Sequence, residues 1–332
     1  METKTFIMEN LHLRLTSKCN KQCIHCFAHI NNEAEEQPLS YWVGIVDAAI
    51  QMGTKNITLT GGEPFVYHDI RKLIDHIKKK PINFSIETNG IIVHKYAIQL
   101  STIKNLKRIA ISPDLTYTEI ELDQLLADVT QMKNIGLPII LQATVLPGNK
   151  KRILQWIERF ARNGIPSRLI LGHNGLGQSE NLKENLSYDD MIAIGNKYKN
   201  DINIRCDLPG CVVGGTRNQT CGWNTIRGDI LPNGHLSPCA AIAWNNKEFE
   251  LDYVDGNNLK TVWEKNLFLN KIRNITQNRF GGNCKHCKHF DECKGSCVAT
   301  SLGLRKSVYA GYPLCDYYFG KKKHGKITDN SK

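Results

Sequence analysis

Over its first two hundred residues the chain alternates short apolar runs with longer amphipathic stretches. Leu11-His-Leu-Arg-Leu15 alternates with period two and reads as a first strand. Ser40 to Met52 has helical periodicity, with Trp42, Ile45, Val46 and Ile50 on one side and Gly53 closing it as a C′ residue. The same alternation then recurs. Strands are predicted at Asn56–Thr60, Ile82–Glu87, Arg108–Ser112, Pro138–Leu146 and Arg168–Leu171. The helices between them are predicted at Asp69–Lys79, around Tyr96–Ile103, from Thr118 to about Asn134 and at Lys151–Arg162, with Gly136 and Gly164 ending the last two. Ser187, with Asp190 three residues on, caps a final helix. Six βα units of this length predict an α/β fold, a parallel sheet with helices outside. Periodicity alone leaves a partial barrel and a doubly wound sheet both open.

After residue 200 the helical rhythm fades and cysteines return, at 206, 211, 221, 239, 284, 287, 293, 297 and 315. A chain of 332 residues has room for one large core and a smaller second domain. Its apolar runs are too short to span a bilayer and its N-terminus lacks a signal-peptide pattern, so a cytoplasmic location is expected. In that compartment the twelve cysteines read as metal ligands rather than disulfides.

The most informative stretch is Cys19-Asn-Lys-Gln-Cys23-Ile-His-Cys26, directly after the first strand. Three thiolates do not fill a tetrahedral zinc site. A 4Fe–4S cube takes four ligands, so three cysteines leave one iron open to a small molecule. The run resembles the signature of the radical S-adenosylmethionine (SAM) enzymes. The resemblance implies a partial (β/α)6 barrel with its site at the C-terminal ends of the strands. It also implies that Cys19, Cys23 and Cys26 hold a 4Fe–4S cluster whose open iron is chelated by the amino and carboxylate groups of SAM. One electron then splits the sulfonium and releases a 5′-deoxyadenosyl radical.

Other motifs fall where such a barrel needs them. Thr60-Gly-Gly-Glu-Pro64 follows the second strand and resembles the family's GGE element. There Gly61 and Gly62 are expected to let the backbone approach SAM, and Glu63 to accept from its ammonium. By the same resemblance His25 lies against the adenine, while Asn89 in Thr88-Asn-Gly90 and Ser112 approach the ribose and methionyl parts. The fourth strand ends Ile-Ser-Pro-Asp where many relatives have Ser-Leu-Asp-Gly, so Ser112 carries over better than Asp114. Thr144 and the Gly172–Gly177 loop are further candidates, set against the plain reading of a strand residue and a flexible loop.

In the second half, Cys221 is followed by twelve residues, Gly234, four residues and Cys239. Then comes Cys284-x2-Cys287-x5-Cys293-x3-Cys297, a gap, and Cys315. This resembles the SPASM domain and implies two auxiliary 4Fe–4S clusters. By family precedent Cys221, Cys239 and Cys297 hold the nearer, and Cys284, Cys287, Cys293 and Cys315 the farther. The nearer needs a fourth ligand, for which Cys211 and Cys206 are both available. The thiol left over is an idle reduced cysteine or, in an epimerase, a hydrogen-atom donor. A pair of zinc ribbons, making the protein a zinc-stabilised scaffold, is the competing reading, since C-x2-C is also zinc spacing. The expected division is a radical SAM core over 1–200, a small cysteine-rich SPASM domain over 201–320 and a basic tail over 321–332.

The formal charge of +11 counts every cysteine as neutral. Three oxidised clusters with these ligands bring it to about +6, and no nucleic-acid-binding motif accompanies it. Neither a nucleic-acid partner nor a membrane is expected. SPASM enzymes commonly act on peptides, so the resemblance implies a peptide substrate, cross-linked, epimerised or otherwise oxidised at C–H. It also implies a flavodoxin- or ferredoxin-type electron donor. A dehydrogenase of a small molecule or of a haem-pathway intermediate is the alternative. Ala240 follows Cys239, where sulfatase-maturing members carry an aspartate, which makes that activity less expected. The core begins near residue 11 and about a dozen residues follow Tyr318, so the peptide is expected to be held by the barrel mouth and second domain, or brought by a separate recognition protein.

Overall fold

The computed structural model describes residues 6–28, 30–113, 117–212, 215–217, 221–223 and 225–323. Asp114 and most of the basic tail lie outside them. The six strands β1 (Asn10–Arg14), β2 (Asn56–Thr60), β3 (Asn83–Thr88), β4 (Leu106–Ile111), β5 (Ile139–Val145) and β6 (Ser167–Leu171) match the sequence expectation to within a residue or two. So do the helices α1 (Leu39–Gln51), α2 (Ile70–Ile77), α3 (Ala97–Ser101), α4 (Glu119–Asn134), α5 (Lys150–Arg162) and α6 (Tyr188–Tyr198). Their ends form as read. Thr118 and Glu121 make a reciprocal capping box, and Ser187 Oγ accepts from Asp190 N at 3.1 Å.

The sheet does not stop at residue 200. Strand β7 (Ile204–Pro209) pairs parallel to β6, and β8 (Gly215–Arg217) pairs with β7. At the other side β9 (Arg227–Ile230) pairs parallel to β1, and β10 (Leu236–Ser237) returns antiparallel to β9. The order is therefore β10-β9-β1-β2-β3-β4-β5-β6-β7-β8. Short helices follow: α7 (Ala240–Ala243), α8 (Leu259–Lys265), α9 (Leu267–Arg273), α10 (Phe290–Cys293), α11 (Val298–Arg305) and α12 (Pro313–Lys323).

Strand alternation divides the sheet into two faces. Leu11, Leu13, Ile57, Leu59, Phe84 and Ile86 are completely buried against the helices, and Leu169, Ile204, Cys206 and Leu208 continue that row. The intervening positions are polar: Arg14, Thr60, Glu87, Gln142, Thr144 and Asp207 line one cavity. Residues from β1 and β7 share that cavity, which requires the sheet to curl. Among the described residues no helix is long and apolar enough to cross a membrane.

Candidate active site

Main-chain contacts fix the cysteine loop before any side chain does. Leu15 N donates to Thr60 O at 2.9 Å, Gly62 N to Thr16 O at 2.7 Å and Glu63 N to Lys18 O at 2.9 Å. The β1 loop and the β2 loop thus run against each other for several residues. Gly61 sits at φ +147°, and a Cβ there would lie 2.6 Å from the Thr16 carbonyl oxygen. A Cβ on Gly62 would fall on the Lys18 carbonyl. The two glycines are demanded by the cysteine loop itself, a closer constraint than the ligand approach expected from sequence.

Glu63 also has local work. It is fully buried, and Oε1 accepts from Phe65 N (3.1 Å) and Thr88 Oγ1 (2.8 Å), while Oε2 accepts from Asn89 N (2.8 Å). Burial pushes its carboxyl above the usual range, opposed by these donors. The side chain is a strut between the ends of β2 and β3 and does not line the cavity. Asn89, placed by that strut, reaches Asn20 Oδ1 at 2.7 Å and lies 4.0 Å from Cys19 Sγ.

The cavity, about 350 Å³, opens at the C-terminal ends of the strands. Cys19, Cys23 and Cys26 all line it, with His25, Thr60, Gly61, Gly62, Asn89, Ser112 and Thr144. Of the individual site residues expected in the first half, all but Glu63 line this cavity, and from the Gly172–Gly177 loop Gly172, His173 and Asn174 join them. Ala28 N donates to Cys26 Sγ at 3.4 Å, and burial raises the thiols of Cys19 and Cys26. Among the described residues no three His, Cys, Asp or Glu side chains converge on a point suited to one ion. A cube differs, because each thiolate binds a separate iron and the ligands stand apart. Three thiols from one loop, facing an open cavity, fit one such cube with an iron left free.

Several cavity residues were not legible in sequence. Arg14, only 4% exposed, donates through Nε and a terminal nitrogen to Asp229 Oδ1 at 3.0 and 2.9 Å, and its guanidinium lies over Phe27 and Trp244. Burial opposes charge on Asp229, yet Arg227 and Arg14 hold its pKa at about 2. Burial likewise opposes charge on Glu87, and His12, Arg14 and Arg227 overcome it and lower its pKa. Asp207 on β7 pairs with Arg168 at 3.0 Å. Strand alternation is the signal that marks these positions, since the row opposite to the helix-facing leucines and isoleucines must face the barrel interior.

The opposite wall comes from the second half: Cys297, Thr300, Leu304, Tyr312 and Leu314. The remaining cysteines form two groups. Cys211, Cys284, Cys287, Cys293 and Cys315 line a second, small cavity, with the Cys211 and Cys315 thiols hydrogen-bonded to each other. Cys221 and Cys297 neighbour Cys239. The structure therefore sets Cys211 with the farther group, whereas the sequence offered it to the nearer. Cys206 belongs to neither. It is 1% exposed on the helix-facing row of β7, with Sγ 3.9 Å from Ile194 O, and burial pushes its thiol up to about 12.

Similar proteins point the same way. The chain resembles the mycofactocin maturase MftC of Mycolicibacterium smegmatis, 22% identical over 90% of this chain and 79% of that one. It resembles the GTP 3′,8-cyclase of Petrotoga mobilis at 25% identity over 82% of this chain and 94% of that one. A probable GTP 3′,8-cyclase of Methanococcus maripaludis is 34% identical, over 32% of this chain and only 37% of its own length. Among solved structures, Streptococcus suis SuiB bound to the precursor peptide SuiA superposes with a TM-score of 0.74 at 18% identity, over 92% of this chain and 75% of that one. Native anSMEcpe with AdoMet and the Kp18Cys peptide gives 0.69 at 16% identity, over 95% and 96%. The Radical SAM superfamily profile matches residues 13–184, more than half of the chain and the stretch from β1 through the cysteine loop to the threshold of α6. With that match and a three-thiol loop at the mouth of a parallel barrel, the chain belongs to the radical SAM superfamily.

Proposed function

We propose that this enzyme cleaves SAM reductively and abstracts a hydrogen atom from a peptide, as a step in maturing a ribosomally made precursor. The observation that carries the reading is the shared cavity. Its one wall is the Cys19, Cys23 and Cys26 loop and its other is Cys297 with α11 and the start of α12, so a substrate lodged there meets both cysteine-bearing halves. When bound, a 4Fe–4S cluster and SAM supply a carbon radical able to take hydrogen from an unactivated C–H. The chain's own residues do the rest. Gly61 and Gly62 keep the loop against β2, and Glu63 fixes Asn89 beside Cys19. The hydroxyls of Ser112 and Thr144 offer hydrogen bonds to a ribose, and His25 a face for the adenine. Glu87, its pKa lowered by His12, Arg14 and Arg227 against burial, and Asp207, paired with Arg168 at 3.0 Å, are the cavity carboxylates offered to a substrate cation or proton.

The division into a core over 1–200 and a SPASM-type region over 201–320 with auxiliary clusters belongs to the same proposal, as do the flavodoxin- or ferredoxin-type donor and the oxidoreductase class. The likeness to a maturase over most of the chain, and to a fold solved with its precursor peptide, support it. A nucleotide substrate is the second reading, favoured by the match to the Petrotoga cyclase over most of both chains. Incubation of the anaerobically reconstituted protein with SAM and dithionite, with 5′-deoxyadenosine as readout, tests the first step. The parent is expected to form the nucleoside and a Cys19/Cys23/Cys26→Ala variant to give only the blank. A peptide encoded beside the gene should raise the rate and GTP should not. Stimulation by GTP alone would transfer the proposal to the second reading.

A further inference from the structure

Arg14 stands where the two halves of the chain meet. It is the last residue of β1, and it lines the main cavity together with Cys19, Cys23 and Cys26. Its Nε and one terminal nitrogen donate to Asp229 of β9 at 3.0 and 2.9 Å. Its guanidinium carbon lies 5.4 Å from the centre of the Phe27 ring and 5.5 Å from that of Trp244, and the two rings are 5.8 Å apart. Phe27 directly follows Cys26, and Trp244 directly follows α7. One buried cation thus touches the cysteine loop, β9 and the exit of α7. The backbone of the loop is gripped as well. Gln178 N donates to Cys26 O at 2.8 Å, and Gly177 packs so closely on Phe27 that a Cβ would lie 2.5 Å from its carbonyl oxygen. Gly177 N in turn donates to Asn245 Oδ1 at 3.0 Å, so the residue after Trp244 holds the same corner. Phe27 is fixed by ring and by main chain, which sets the separation between the guanidinium and Cys26.

We propose that Arg14 is a positioning residue for the SAM-cleaving step: its guanidinium, pinned by Asp229, Phe27 and Trp244, raises the potential at which a cluster on Cys19, Cys23 and Cys26 accepts its electron. One electron from the reductant takes the charge of a cube with three thiolates from about −1 to about −2. A cation held beside one of those thiolates stabilises the second state more than the first, and burial leaves the effect weakly screened. The Arg14 charge favours a thiolate at Cys26. Nor is that charge cancelled locally. Arg14 and Arg227 share Asp229, and Arg108 lies 3.8 Å from Glu87, so three cations face two carboxylates. This inference rests on the first step of the function proposed above, reductive cleavage of SAM, and holds for a peptide or a nucleotide substrate alike.

The test compares the parent with Asp229→Asn and Arg14→Met/Asp229→Asn. Each protein is reconstituted anaerobically and titrated with titanium(III) citrate. The electron paramagnetic resonance signal that the Cys19/Cys23/Cys26→Ala variant lacks reports the midpoint of the loop cluster. Asp229→Asn keeps the guanidinium and removes its counter-charge, so the midpoint should rise. The double variant exchanges the buried ion pair for neutral groups and leaves neither partner as an unpaired charge. Its midpoint should fall by at least about tenfold in the reduction equilibrium, about 59 mV for one electron. Loss of a purely structural contact would move both variants the same way or neither. Any pattern other than a rise in the first and a fall in the second would overturn the inference. Should the double variant hold no iron at the loop, Asp229→Asn decides alone, and an unchanged or lowered midpoint overturns the inference. A parent without that signal would overturn the reading beneath it.

Discussion

The two cysteine-bearing regions reach the same cavity by opposite constructions. In the first half the thiols sit at the rim of a large apolar core that owes nothing to them. Leu11, Leu13, Trp42, Ile57 and Phe84 are buried behind the loop, and main-chain bonds to β2 hold it in place. Between residues 276 and 297 the cysteines sit in and around a small core of their own. The separate cluster there consists of Phe280, Cys284 and Phe290, with Ile275, Cys287 and Tyr309 packed against it. Ordering a backbone residue costs about 1–2 kcal/mol, more than three buried side chains return over twenty residues. Such a segment depends on a cross-link or metal for its order. The first region is a scaffold that accepts a cofactor, and the second has little scaffold beyond its cysteines and three aromatic rings.

Strain is distributed in the same way. In the first half the positive φ next to the cysteine loop falls on a glycine, Gly61 of the β2 loop. The turn joining Cys293 of the farther group to Cys297 of the nearer group runs Lys294, Gly295, Ser296 at φ 49°, 88° and 60°. Two of these three carry side chains, at a cost of about 1 kcal/mol or more each. A turn of this kind persists when the groups at its two ends are held firmly.

The contrast can be broken by removing cysteines from the second region. In a Cys284→Ser/Cys293→Ser variant, protease cleavage between residues 276 and 297 should speed up at least about tenfold, equivalent to about 1.4 kcal/mol of local opening. The stretch from β1 to α6 should keep its hydrogen-exchange protection. Equal loosening of both halves would erase the distinction. Gly62→Ala probes the first region. Its new Cβ meets the Lys18 carbonyl, a backbone group that cannot step aside, so a loss of about 2–4 kcal/mol is expected in urea unfolding. Iron should fall by about four per chain and the auxiliary iron should stay.

Acid sharpens the comparison, because the buried ionic network lies under the first region. Burial, then Arg227, lowers the pKa of His12 from 6.5 to about 3, with Arg14 adding to the effect and Asp229 and Glu87 opposing it. The unfolded imidazole binds its proton near 6.5 and the folded one only near 3, so stability is complete above the first value and falls as pH drops towards the second. From pH 6.5 to about 4.5 the loss should be about 2–3 kcal/mol, and His12→Asn should flatten it. The smallest effect is expected at Ser296. Its hydroxyl is buried with no hydrogen-bond partner among the described residues and its φ is positive, so Ser296→Gly should stabilise the protein by about 1 kcal/mol, read as a rise in thermal midpoint.

How far the sequence could be read followed the length and regularity of each element. The helices up to α6 and the strands up to β6 are long enough for their periodicity to be unambiguous. Strand β9, Arg-Gly-Asp-Ile, has no apolar alternation to betray it. It pairs with β1 where Asp229 meets Arg14, an interaction across 215 positions that no local window contains. The helices after residue 240 are mostly of four to eight residues, too short for a 3.6-residue period to register. Motif spacing located the cysteines and the glycines. It could not divide Cys211 from Cys206, because that depends on which face of β7 a side chain leaves and where the chain turns afterwards. Nor could it give Glu63 its role, which is set by where the end of β3 falls.

Strand β1 lies between β2 and β9, and its partners are met at very different times during synthesis. Asn56 follows Asn10 closely, whereas the ion pair from Arg14 to Asp229 closes a separation of 215 residues. Until the ribosome has delivered that distant strand, one side of β1 is an unpaired edge beside the loop of three thiols. The nascent barrel is then open both to aggregation through that edge and to premature oxidation of the loop. Late arrival of β9 closes the edge, which makes completion of the sheet and protection of the metal-binding loop a single event in the life of the chain.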